Sequence, residues 1–243
     1  MIVANWRRAR MLFVAVGVAA AMAACTNDSP SGPSITPTVT ATASANPNNV
    51  LSALVDVQTT NTDSVRVVSG SGATRVVLTP WFATTGASMR VPVLGLREAT
   101  AYSLAVEATG SGSVATSAPV AFTTGNLPGL LGSVHVRTLK GTATTGYMRT
   151  AVDFNGSTYA LVFDSTGTIA WYRIFPNPDL SVSFSQQRNG NYTIYLGVSQ
   201  GWQPGPGKFI EFTPAGDIVR EWTAQPGSYV DGHEIILTTD AAT

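Results

Sequence analysis

The 243-residue chain is 44% hydrophobic, only 12% charged and formally neutral, so it can bury a core and lacks the Lys/Arg excess on which nucleic-acid binding relies. A single Cys excludes an internal disulfide and Cys-rich zinc sites, and two His are too few for most His-based metal cages, so neither metal nor cofactor is expected. The 23 Gly and 14 Pro follow no collagen-like period and imply many turns.

Arg7, Arg8 and Arg10 precede an apolar run from Met11 to Ala24, which is shorter than the roughly 20 residues of a bilayer-spanning helix. Residues 1–24 therefore read as a signal peptide. The run ends Met22-Ala23-Ala24-Cys25, which resembles the lipobox of bacterial lipoproteins with Met22 in place of the usual Leu. Residues 25–35 form a polar tether behind this Cys. The expectation is a protein of the bacterial cell envelope, outside the cytoplasm, held at a membrane through lipid on Cys25.

Residues 36–125 alternate apolar and polar positions in short runs at Leu54–Val57, Val65–Val68, Arg75–Leu78, Met89–Val93 and Tyr102–Val106. Gly, Ser, Thr and Asn separate them at intervals that suit a β-sandwich, and no helical period with caps is present. Leu94 to Val106 followed by Pro119 to Thr124 resembles the second half of a fibronectin type III module, although no core Trp lies near Val65–Val68. That resemblance implies a buried corner Tyr, Tyr102, whose hydroxyl binds backbone. A spacer role is the plain reading of this region.

Asn126-Leu127-Pro128-Gly129 reads as a linker, and residues 130–243 turn to aromatic strands. Phe163 to Trp171 and Phe212 to Trp222 both run aromatic, Gly-containing turn, Ile, Trp. Their turn glycines, Gly167 and Gly216, lie about 49 residues apart, within the range of propeller blades. Between them Arg188-Asn189-Gly190-Asn191 reads as a hairpin turn feeding the strand Tyr192–Leu196, and the order restarts at Gly232 to Leu237.

Tyr159 to Tyr172, Arg188 to Asn191, Phe209 to Phe212 with Gly216 to Val219, and His233-Glu234-Ile235 together resemble the opening blades of the bacterial arylsulfotransferases. The resemblance implies an all-β chain, a fibronectin type III-like sandwich followed by an incomplete β-propeller. It also implies sulfuryl transfer from a phenolic sulfate ester to a phenol acceptor through a transient sulfohistidine. It places His233 as a channel-facing residue that contacts substrate or moves a proton. About 113 residues from Leu130 to Thr243 are too few even for four blades at about 45 each. The expectation is therefore a truncated chain of two blades and the start of a third, inactive by itself, with the transferring His further downstream.

His135 has no motif around it and reads as structural. Arg173, Arg188, Lys208 and Arg220 read as solvated cations of the blade edges. Gly197-Val198-Ser199-Gln200-Gly201 matches a hydrolase nucleophile elbow, but Trp202 to Gly207 cannot form the helix that must follow, and the segment reads as a loop. Gly205 to Lys208 lacks the spacing and the Ser/Thr of a phosphate loop. Asn155-Gly156-Ser157 and Asn191-Tyr192-Thr193 read as turn residues. A noncatalytic lipoprotein that uses sandwich and blades to bind a protein or polysaccharide is the competing reading.

Overall fold

The computed structural model describes residues 35–137, 145–176, 180–200 and 203–238. The expected signal peptide, Cys25 and most of the expected tether lie outside the described residues. Among the described residues the fold is all-β: four antiparallel sheets, none closed on itself, with only two one-turn 3-10 helices, at Gly72–Thr74 and Gly129–Ser133.

Nine strands form the first two sheets. They are β1 (Thr38–Ala45), β2 (Ala53–Thr60), β3 (Ser64–Ser69), β4 (Val76–Val77), β5 (Phe82–Ala83), β6 (Ser88–Val93), β7 (Ala101–Gly110), β8 (Ser113–Thr116) and β9 (Val120–Thr123). One sheet has the order β1-β2-β6, and the other β4-β3-β7-β8, with β5 and β9 also paired to β3 and β7. Strand β2 alternates buried and open positions, as period-two sequence requires, so that Ala53, Val55 and Val57 face one way. Val55 stands opposite Val91, and on the other sheet Val67 stands opposite Val106. All of these valines belong to one core that also takes Val65, Leu104 and Phe122. Each fully buried Val or Leu contributes about 1.5–3 kcal/mol, which is what holds the two sheets face to face.

Tyr102 sits at the start of β7, and its hydroxyl accepts a hydrogen bond from the Arg97 N–H at 2.7 Å. The ring is half-buried, not sealed in the core. The alternation at Arg75–Leu78 gives only the two-residue β4, whose valines are exposed. On the outer face the carboxylate of buried Glu107 bridges Arg75 and Arg66 at 2.6 and 2.7 Å. The Arg75 hydrogen bond is the main cause that holds its carboxyl below the usual range, against the opposing effect of burial.

Seven further strands follow: β10 (Met148–Phe154), β11 (Ser157–Phe163), β12 (Ile169–Pro176), β13 (Leu180–Gln186), β14 (Tyr192–Gln200), β15 (Gln203–Phe212) and β16 (Ile218–Thr223). They form two meanders, β10-β11-β12 and β13-β14-β15-β16. Asn155 and Gly156 both have positive φ, as a two-residue hairpin between β10 and β11 needs. The Pro/Gly stretch from Gln203, read as a loop from sequence, opens β15 and pairs with β14 from Gln203 opposite Gln200. Ser199 consequently lies within a hairpin strand and not at a strand-to-helix elbow.

The repeated turns have one geometry. Asp164, Gln187 and Thr213 each donate their N–H to the carbonyl four residues on, and Gly167, Gly190 and Gly216 donate back, all at 2.8–3.0 Å. Each glycine has φ between +81 and +91°, the left-handed position of a three-residue hairpin. The strands beyond them are not equivalent. Ile169 is 2% exposed on β12, in the core with Leu51 and Leu131, whereas Ile218, at the same place in the repeat, is 51% exposed on β16.

The two meanders share an aromatic core of Trp171, Phe175, Phe184, Tyr192 and Phe212. They also dock on the first two sheets. The β1–β2 connection inserts Leu51 beside Leu131, Leu161 and Tyr172, so Leu131, just beyond the expected linker, is itself core. The Tyr172 hydroxyl accepts the Val50 N–H at 3.0 Å, and the Asn46 amide reaches the Ala215 carbonyl at 2.9 Å. The described residues from Ile35 onward accordingly cluster as one compact unit.

Candidate functional site

His233 lies in the segment after β16. Its ring Nδ1 is 2.5 Å from a carboxylate oxygen of Asp231, which also accepts the His233 N–H at 3.0 Å. The ring hydrogen bond is the main cause that lowers the Asp231 carboxyl. Both side chains stand in solvent, 94% and 79% exposed, and among the described residues no Lys or Arg is salt-bridged to Asp231. A hydrogen-bonded His–Asp pair could in principle shuttle a proton, but at this exposure water competes for every interaction that would stabilise developing charge.

The segment is nevertheless placed by specific contacts. Gly232 crosses the buried Tyr195 ring, where a β-carbon would stand 2.9 Å from ring atoms. Burial, with the Asp231 charge second, raises the Tyr195 hydroxyl above its ordinary pKa. Further on, the side chain of buried Gln187 imitates a strand neighbour. Its amide donates to the Ile235 carbonyl at 3.0 Å, and its carbonyl accepts the Leu237 N–H at 2.9 Å.

The four cations have four different fates. Arg173 is half-buried, donates to the carbonyls of Gly216 and Ile174 at 3.0 Å, and is lowered in pKa mainly by desolvation. It is thus a half-buried strut and not a solvated edge residue. Lys208 pairs with Glu221 at 2.8 Å, Arg220 lies over the Trp222 ring at 5.6 Å, and Arg188 is exposed on its turn. None of these contacts brings a cation to His233. His135 is exposed and outside any strand. Among the described residues no group of three or more His, Cys, Asp or Glu could hold a metal.

Asp164, read from sequence only as a turn residue, is the most perturbed acid with a defined value. Burial pushes its carboxyl up, but bonds from the Thr166 hydroxyl, Arg97, and the Thr166 and Thr168 N–H groups outweigh that and hold it at about 2. A carboxyl depressed from 3.8 in the unfolded chain stabilises the fold above pH ~4 and loses that contribution as pH falls toward 2. With Arg97 more than half exposed, the contribution is about 1–2 kcal/mol at neutral pH. Urea denaturation of Asp164→Asn should show a loss of that size at pH 7 that vanishes near pH 2. An equal loss at both pH values would mean that the charge is not what matters.

Glu211 was not singled out by sequence reasoning. It is 4% exposed on β15, and one oxygen, Oε1, accepts the side-chain amides of Asn189 and Asn191 at 2.9 and 2.6 Å. The available signal was the Asn189-Gly190-Asn191 turn, whose two amides need an acceptor once the hairpin sets them side by side. The chain matches no model of a known protein family and no curated protein.

Proposed function

We propose that the chain is an extracytoplasmic, lipid-anchored protein of the arylsulfotransferase type, with a fibronectin type III-like sandwich followed by propeller blades, whose described residues bind and do not themselves transfer sulfate. The pairing β1-β2-β6 against β4-β3-β7 with a hydrogen-bonded Tyr102 supports the sandwich. Two successive meanders with the same Gly turn support the blades. Cys25 is the proposed lipid attachment.

The exposure of His233 carries the noncatalytic part of this reading. Sulfuryl transfer needs a nucleophile, donors fixed on the sulfate oxygens and excluded water, and among the described residues the His233 ring is hydrogen-bonded to Asp231 alone. Incubation with 4-nitrophenyl sulfate and a phenol acceptor should release nitrophenol at the background rate, in wild type and His233→Ala alike. A rate above background that His233→Ala abolishes would contradict the reading.

A further inference from the structure

We propose that the cleft between the Asn189–Asn191 turn and the Ile235–Thr238 segment is a binding site for a neutral sugar. The cleft measures about 570 Å³, within the range of small-ligand sites, and Asn189, Asn191, Glu211, Arg220, Trp222 and Ile236 contribute to its lining. The proposal is independent of sulfate chemistry.

The site is built around a buried charge. Glu211 is more than nine-tenths buried, and because both asparagine amides go to Oε1, Oε2 has no partner among the described residues and remains for a ligand. The Asn189 side-chain carbonyl accepts the Asn191 N–H at 3.0 Å, which fixes the turn and with it the direction of the two amides. Rigid placement of this kind spares a ligand the cost of ordering the site.

Charge selects the ligand class. Glu211 stands directly opposite Arg220 in the β15–β16 register, so the cleft carries one negative and one positive group. The two charges offset each other, so a free anion or cation gains no net attraction, whereas a neutral molecule carrying both donors and acceptors can bond to both groups. A sugar hydroxyl both donates and accepts, so adjacent hydroxyls can give a hydrogen bond to Glu211 Oε2 and take one from the Arg220 guanidinium. The half-buried Trp222 indole and exposed Ile236 offer apolar surface for the C–H face of a pyranose ring.

The test is titration calorimetry of the intact chain with neutral tetrasaccharides (maltotetraose, cellotetraose, laminaritetraose) and a tetragalacturonate as the acidic counterpart. At least one neutral probe should bind, with Kd of about 0.1–1 mM. Trp222→Ala and Glu211→Gln should each weaken it about tenfold or more, and tetragalacturonate should bind about tenfold more weakly than the best neutral probe. Glu211→Gln keeps an acceptor for the two amides, so it preserves the turn while removing the charge. Absence of neutral-sugar binding, binding indifferent to both variants, or tighter binding of the acidic probe would each overturn the proposal.

Discussion

Phe212→Ala should destabilise the protein by about 3–5 kcal/mol, the cost of removing a fully buried aromatic side chain. Phe212 is 0% exposed, and its ring lies 6.1 Å from Trp171, 5.2 Å from Phe175, 6.3 Å from Phe184 and 5.8 Å from Tyr192. Trp171 and Phe175 come from the three-stranded meander and the other rings from the four-stranded one, so this one side chain joins the two sheets. Offset and edge-to-face ring pairs add about 0.5–1.5 kcal/mol beyond area burial, and several are lost together. Phe212→Leu, which keeps most of the volume, should cost about 1–1.5 kcal/mol. Urea denaturation followed by near-UV circular dichroism reads both. An Ala variant within about 1 kcal/mol of wild type would mean that the meanders do not share this core.

Gly167→Ala should cost about 3 kcal/mol or more, against about 1 kcal/mol for Gly190→Ala in the same turn geometry. Both glycines have left-handed φ, +81 and +86°, so each substitution carries the same backbone strain. They differ in surroundings. A β-carbon at Gly190 meets nothing within 4 Å, whereas at Gly167 it runs into the Val136 carbonyl oxygen. That approach also carries the Val136 N–H bond to the Gly167 carbonyl at 3.0 Å, so a shift that relieves the clash breaks a backbone hydrogen bond. Equal losses in the two variants, measured by the same denaturation, would mean that the segment through Val136 does not rest on this turn.

These contrasts show what pattern reading reaches in this chain and where it stops. Strands β2, β3, β6 and β7 were legible because Val and Leu alternate with polar residues against a single core. Strand β1 was not, since beyond Val39 it alternates only Ala with Thr or Ser; it is placed by full-length pairing with β2. Gly167, Gly190 and Gly216 were legible as turns, and the turns share one hydrogen-bond pattern. Ile169 and Ile218 looked alike because a repeat in sequence does not reveal what a strand packs against: Ile169 shares a core with Leu51 and Leu131, whereas Ile218 stands open. The docking of the Asn46–Ser52 turn on Tyr172 and Ala215 spans more than 100 residues and left no local signal. The same holds for the candidate sites. Residue type drew attention to His233, whereas the burial of Glu211 depends on strand register and on a turn about 20 residues away.

The most direct test of the functional reading asks whether His233 ever carries the sulfuryl group. The protein and His233→Ala are incubated with sulfur-radiolabelled 4-nitrophenyl sulfate, quenched in base to preserve any sulfohistidine, and counted for protein-bound label. Because His233 stands exposed, with Asp231 its one ring partner among the described residues, both proteins should retain the same background counts. Near-stoichiometric label on the wild type that is absent from His233→Ala would contradict the account and make His233 the nucleophile.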